Sequence, residues 1–137
     1  MTPLERTTPR AREAVNQIVS AIGARFIEMN ADDHDRALAS TSHLPFLLSS
    51  SLALSTPHEF GSVVGTGFRS TSRLAGTPSH MTMGILQSNR ENILNALQAF
   101  RIALDQLETA LQNENYVQLE LSLNQSQSAY QSLVSNL

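Results

Sequence analysis

The chain reads as a mainly α protein: a helical domain with a long antiparallel helical hairpin, preceded by a short helix-and-strand piece. Three observations carry this reading. Leu86, Ile93, Leu97, Phe100, Leu104, Leu107 and Leu111 recur at the three-and-four spacing of a helix stripe. After the polar turn Asn113-Glu114-Asn115 a second stripe follows, through Tyr116, Leu119, Leu123, Tyr130, Leu133 or Val134, and Leu137. Only one stretch, Ala24-Arg25-Phe26-Ile27-Glu28-Met29, is short and rich in strand formers.

Thr8-Pro9 opens the first helix with a hydroxyl cap and a proline where the missing N–H costs nothing. Ala11, Ala14, Val15, Ile18, Val19 and Ile22 then keep helical spacing until Gly23 stops the run. The strand over 24–29 cannot satisfy its own backbone groups and needs a sheet. Either it pairs with another molecule or, as we expect, residues 1–29 are the end of a larger α/β domain whose beginning lies outside the sequence. A helical domain then occupies residues 30–137.

Asn30 caps the next helix, with Asp33 at its third position near the positive end of the dipole. Pro45 lacks an N–H and predicts a kink that leaves the Thr41 carbonyl unpaired. Beyond it the helix runs through Leu47, Leu48, Leu52 and Leu54 to about Ser55. Thr56-Pro57-His58-Glu59 has the form of a capping box and predicts a short helix ending near Gly65. Thr77-Pro78 is another cap-plus-proline start. A helix from Gly84 to Gln112 would be about 42 Å long, enough to span or overshoot a globule of this size, whose radius of gyration is about 14 Å. Its surplus apolar face most simply meets a copy of itself, so the chain is expected to be a homodimer.

With 137 residues the chain can hold one domain with a real core but not comfortably two. The absence of cysteine excludes disulfides, thiolate metal sites and cysteine nucleophiles, and fits a reducing, cytoplasmic setting. All nine basic residues are arginine, and a net charge of -3 without a basic run argues against a nucleic-acid partner. No segment approaches the roughly 20 apolar residues that cross a bilayer, so no membrane role is expected.

The polar candidates concentrate in two places. In Asp32-Asp33-His34-Asp35 and Ser42-His43-Leu44-Pro45, an imidazole and hydroxyls lie beside the kink in an apolar setting, which suggests a binding wall. His34 and His43 would lie about 180° apart on a straight helix, so they do not form a metal pair, and no metal site is expected. Ser49-Ser50-Ser51 lacks the Gly-x-Ser-x-Gly turn of a nucleophile. Gly65-Thr66-Gly67 followed by Ser70 resembles a dinucleotide motif only superficially, because helix rather than strand precedes it. That stretch leaves Arg69 and Arg73, four apart with hydroxyls between them, which either take a carboxylate or phosphate or pair with acids of the same fold.

Taken together, Asp33-His34-Asp35, Ser42-His43-Leu44-Pro45, Gly67-Phe68-Arg69-x-x-Ser72-Arg73 and Asn89-Arg90 resemble the C-terminal region of the prephenate/arogenate dehydrogenases. The resemblance runs from about Ala24 to Asp105 and more loosely to the end. It implies that residues 1–29 are the last helix and strand of a Rossmann-type domain, and that the helical domain dimerises and forms the substrate side of a cleft. Members oxidise prephenate or arogenate, passing hydride to NAD or NADP with loss of the ring carboxylate. By carry-over His43 lines the cleft and Arg73 holds a substrate carboxylate, with Arg69 and Ser42 as further substrate contacts and His34 fixing the start of the kinked helix. The family's catalytic histidine and glycine-rich cofactor loop belong to its N-terminal domain, so this chain is expected to hold no catalytic residue, bind no cofactor and not turn over. Many members carry a histidine where this chain has Phe46, and others Met-Trp where it has Met81-Thr82; both changes are similar to the cyanobacterial and plant-type arogenate enzymes. Two further readings are a stand-alone helical dimerisation or interaction module, for which an orphan strand has no use, and a small carboxylate-binding regulatory domain.

A charge set into the helical stripe tests its role. Leu97→Asp or Leu104→Asp is expected to break the helical core or the dimer, and an unaltered dimer by light scattering would count against the seam.

Overall fold

The computed structural model describes residues 1–135 and contains seven α-helices among them. They divide into two compact units, Met1–Ala96 and Leu97 onward. No described helix is long and apolar enough to cross a membrane.

In the first unit, α1 (Pro9–Ala21) begins where Thr8 Oγ1 accepts the Ala11 N–H at 3.2 Å. It ends in a Schellman motif: Gly23 N–H donates to Ser20 O at 3.0 Å and Ala24 N–H to Val19 O at 3.1 Å. Gly23 takes the left-handed position with φ 72°, open to glycine without a Cβ penalty.

Residues 24–30 hold neither helix nor ladder, so the strand expected at 24–29 is reduced to a single contact. The Met1 amine donates to Ile27 O at 2.6 Å, and Met29 N–H donates to Met1 O at 3.1 Å. One residue bonded to both neighbours of Glu28 is the pattern of one parallel bridge. A strand needs a neighbour along its length, and here only Met1 bonds in this pattern. Arg12 and Glu28 pair at 3.1 Å and tie the segment to α1.

The following helix is α2 (Ala31–Leu38), which Asn30 caps by accepting the Asp33 N–H at 2.7 Å. Asp33 also pairs with Arg36. The kink expected at Pro45 is a π-turn over Ala39–His43, placed just ahead of the proline. Leu44 N–H reaches five residues back to Ala39 O, and α3 (Leu44–Ser55) starts with Pro45 in its first turn. The capping box at Thr56 does not form. Thr56 Oγ1 donates to Leu52 O at 2.8 Å instead, and residues His58–Val63 make a 3-10 turn without a side-chain cap. So short a segment, with Gly61 inside it, gains too few bonds to offset helix nucleation.

Next come α4 (Thr66–Thr71), a 3-10 turn Arg73–Gly76, and α5 (Ser79–Ser88). The single helix expected from Gly84 to Gln112 is broken at Asn89, whose φ of -108° and ψ of 25° leave the helical region. The second piece, α6 (Arg90–Gln112), is 23 residues and about 35 Å long. The buried residues of this unit are Ala39 and Ile93 with three polar partners, His43, Ser49 and Asn89. No described buried side-chain nitrogen or oxygen lacks a hydrogen bond.

The second unit is the remainder of α6 and α7 (Tyr116–Val134), joined by Asn113-Glu114-Asn115 as expected. Asn115 accepts the Gln118 N–H at 3.0 Å and so caps α7. Gln106, Thr109, Gln118, Ser122 and Gln125 line an open cleft between the two helices, and Ala110 is buried near its closed end. Leu104, Leu111, Tyr116, Leu123, Tyr130 and Leu133 of the two stripes are about half exposed or more. Leu137, the last residue of the second stripe, lies outside the described residues.

The hairpin turn repeats the α1 terminus with a different residue. Glu114 N–H donates to Leu111 O at 3.1 Å and Asn115 N–H to Ala110 O at 2.8 Å, so Glu114 holds the left-handed position at φ 50°. A side chain there costs more than the chain entropy that glycine would add. Glu114→Gly is therefore expected to stabilise the chain by roughly 0.5–1 kcal/mol, read as a raised urea midpoint at unchanged m-value.

Candidate functional site

Pro45 removes one N–H from the helix, and the wide turn ahead of it absorbs the loss while carrying Ser42 and His43. These two residues line a cavity of about 160 Å³ with Phe46, Leu74, Thr77, Thr82, Ile85 and Leu86. Its walls come from the π-turn, α3, the Arg73–Gly76 turn and α5. Aliphatic side chains, one phenyl ring, one imidazole and three hydroxyls suit a partly apolar ligand with a few oxygens at fixed positions.

Two buried polar groups hold these walls. Ser49 Oγ accepts the Ala75 N–H at 3.0 Å across 26 residues and joins α3 to the turn that carries Arg73 and Leu74. The Asn89 carboxamide donates to Asp35 O at 2.7 Å, lies 3.3 Å from His43 Nδ1, and accepts from Asn92 Nδ2 at 2.8 Å. It thereby joins the end of α2, the π-turn and the start of α6.

Of the residues expected to contact a ligand, the structure brings Ser42 and His43 together in the cavity wall. Arg69 and Arg73 are exposed and do not line it. They also do not share one helix face, because α4 ends at Thr71 and Arg73 begins a 3-10 turn. Neither guanidinium pairs with an acid or donates a hydrogen bond to any described residue. The hydroxyls between them are committed elsewhere: Ser70 and Thr71 donate to Gly67 O at 3.0 and 2.9 Å, and Ser72 to Phe68 O at 2.7 Å. Any anion at this loop meets arginine rather than serine or threonine. His34 lies at the start of α2, partly exposed, with Nδ1 3.0 Å from Asp35 Oδ1. Among the described residues no three His, Cys, Asp or Glu side chains come together as a metal set.

Sequence reasoning gave Ser49 and Thr77 no part in the site, and named Asn89 and Thr82 only through the family resemblance, without a structural role. For Asn89 a signal existed: Asn89-Arg90-Glu91-Asn92 has a capping residue followed by an acid in the first turn, the signature of a new helix. For Ser49 none did, since a serine triplet on an apolar helix does not say which hydroxyl faces a neighbouring backbone.

The chain matches the family described as "Prephenate dehydrogenase, dimerization domain" over residues 30–125. The chain is 26% identical over 121 residues to the prephenate dehydrogenase of Bacillus subtilis strain 168, covering 84% of this chain and 33% of that protein. It is 28% identical over 136 residues to the cyclohexadienyl dehydrogenase of Zymomonas mobilis, covering 94% and 46%. The crystal structure of Synechocystis arogenate dehydrogenase superposes with a TM-score of 0.81 at 28% identity, over 97% of this chain and 51% of that one. A prephenate dehydrogenase from A. aeolicus in complex with hydroxyphenyl propionate and NAD+ superposes at 0.80 over 96% and 48%, and at 22% identity it shares the fold. The chain belongs to the prephenate dehydrogenase family through its dimerization domain. It spans between a third and a half of the length of these two curated relatives.

Ser49 gives the site a direct test. Ser49→Ala removes one of the two acceptors of the Ala75 N–H, which also donates to Ser72 O at 3.0 Å. The lost link between α3 and the turn is expected to cost about 0.5–1.5 kcal/mol, measured by urea unfolding of the variant.

Proposed function

We propose that this chain is the substrate-side, dimerising part of an oxidoreductase that converts arogenate or prephenate, with loss of the ring carboxylate as carbon dioxide. The observation that carries the reading is the cavity under the π-turn, with Ser42 and His43 in its wall, beside a loop whose Arg69 and Arg73 have no acid partner among the described residues. A cyclohexadienol acid needs an apolar wall for its ring, hydrogen-bonding groups for its oxygens and guanidinium for a carboxylate. Arg73 is the proposed carboxylate contact, with Arg69 in support.

A nicotinamide cofactor supplies the hydride acceptor in this class of reaction. The residues present do not fit one: Gly65-Thr66-Gly67 leads into a six-residue helix preceded by a 3-10 turn, with no strand to form the strand–turn–helix cradle of a pyrophosphate. NADP or NAD is accordingly assigned to residues outside this chain, and the chain alone is expected to be inactive. The parallel bridge between Met1 and the residues around Glu28, separated by α1, supports residues 1–29 as the last crossover of a Rossmann-type domain. It also weighs against a self-sufficient helical module. The exposed apolar stripes of α6 and α7 support a homodimer. Phe46 in the cavity wall, and the likeness to the Synechocystis enzyme, favour arogenate over prephenate.

In an active enzyme containing this chain, Arg73→Ala is expected to raise KM for the ring acid roughly ten- to a hundredfold, the worth of a charge-assisted contact, and to leave KM for the cofactor unchanged. Equal rises in both would make Arg73 structural. Calorimetry of the chain itself with NADP and with NAD is the control, and tight binding of either would overturn the assignment of the cofactor elsewhere.

A further inference from the structure

His43 is buried, lines the cavity, and has two ring nitrogens that in the neutral imidazole differ in role: one donates, the other accepts. Which one faces a ligand decides whether the site offers that ligand a donor or an acceptor. The hydrogen bonds around Asn89 fix the answer. Asp35 O is a backbone carbonyl, an acceptor whose identity is not in question, and it already receives the Ala39 N–H. The Asn89 atom 2.7 Å from it must therefore be the amide nitrogen, because an amide oxygen there would set acceptor against acceptor. The same nitrogen lies 3.3 Å from His43 Nδ1 and has one hydrogen left to give. The Asn92 amide, 2.8 Å from Asn89 Oδ1, is consistent with that orientation. His43 Nδ1 is then an acceptor, and the ring proton resides on Nε2. Asn89 does not line the cavity, so the edge of the ring turned away from it is the one left to face the cavity.

We propose that Asn89 is a positioning residue: it holds His43 in the Nε2–H tautomer, so that the imidazole meets the cavity as a hydrogen-bond donor to an oxygen of the bound ring acid. The tautomer half stands on the hydrogen bonds alone, and the ligand half rests on the function proposed above. The bracket joins three chain segments, and it places a donor on the side of the cavity formed by the π-turn. A hydroxyl or carboxylate oxygen is accepted there, whereas a ligand presenting an N–H or a bare hydrocarbon edge leaves the Nε2–H without a partner.

Side-chain 15N NMR of this chain in mildly alkaline buffer tests the first half without any variant in the folded site, His43→Gln serving only to assign the resonance among the four histidines. The expected result is a neutral His43 ring with Nε2 protonated and Nδ1 bare. A ring protonated on Nδ1, or an averaged mixture, would overturn the proposal. Asn89→Asp, of nearly the same shape, replaces the donor at Nδ1 by an acceptor and is expected to move a proton onto Nδ1; an unchanged Nε2–H tautomer would mean that Asn89 does not set it. For the ligand half, Asn89→Asp in an active enzyme containing the chain should raise KM for the ring acid about tenfold and leave KM for the cofactor unchanged. An unchanged substrate KM would overturn that half. If Arg73→Ala were also without effect, the substrate-side reading itself would fall, while the tautomer measured in the isolated chain would stand.

Discussion

The missing N–H of Pro45 is the constraint on which this site is built. A proline in the middle of a helix deletes a bond and crowds the turn before it, and an unrelieved α-helix through Pro45 would cost about 3 kcal/mol. The chain relieves it with one wide turn over Ala39–His43, in which Leu44 bonds back to Ala39 rather than to Ser40. The extra residue in that turn shifts the phase between α2 and α3, so that the buried positions run Ala39, His43 and Ser49 instead of following one straight stripe. Two of those three are polar. The helix is thus turned so that an imidazole and a hydroxyl, rather than leucines, enter the small interior.

An interior of this kind needs its polar groups satisfied, since each buried group without a partner costs as much as several favourable contacts return. The chain meets this with backbone groups from distant segments: Asp35 O for the Asn89 amide, and Ala75 N–H for Ser49. Each bond therefore does two things at once. It lowers the cost of burial, and it fixes the position of an element that presents the cavity: the π-turn in one case, the arginine-bearing loop in the other. With only Ala39 and Ile93 as buried apolar residues in this unit, packing alone would position these walls poorly.

The fold was legible where a residue's own chemistry decides its structure. Thr8-Pro9, Asn30 and Asn113-Glu114-Asn115 mark helix ends because capping and turn geometry are local, and the structure starts and stops helices there. Pro45 announced a distortion, but its form, a π-turn upstream rather than a simple kink, depends on what α2 and α3 pack against. The capping box at Thr56 failed because the Leu52 carbonyl took the hydroxyl first, a competition that spacing alone does not resolve. Likewise Ser42 and His43 were readable as a wall, since they accompany the proline, whereas Ser70, Thr71 and Ser72 look available in sequence and are spent on backbone carbonyls of their own helix. Arg69 and Arg73 showed the reverse: pairing within the fold was open in sequence, and neither takes a partner among the described residues.

The hairpin of the second unit carries this logic to its end. Gln106, Thr109, Gln118, Ser122 and Gln125 line clefts between the helices together with Ile102, Ala103, Leu107 and Ala129. Leu107, Leu119 and Val134 of the two stripes are half-buried, while Leu104, Leu111, Tyr116, Leu123 and Tyr130 are largely left outside. Polar side chains gain little by leaving water and the apolar ones between the helices bury only part of their area, so the attraction between α6 and α7 is modest. Ala110 is the one described residue of the unit that is buried. The stronger driving force lies on the outer stripes, which nothing in a single chain covers. On the reading that a second copy covers them, association supplies the burial that the hairpin lacks alone, and its stability then depends on chain concentration. A charge placed at Leu104 would under that reading act on dimer and hairpin together rather than on either separately.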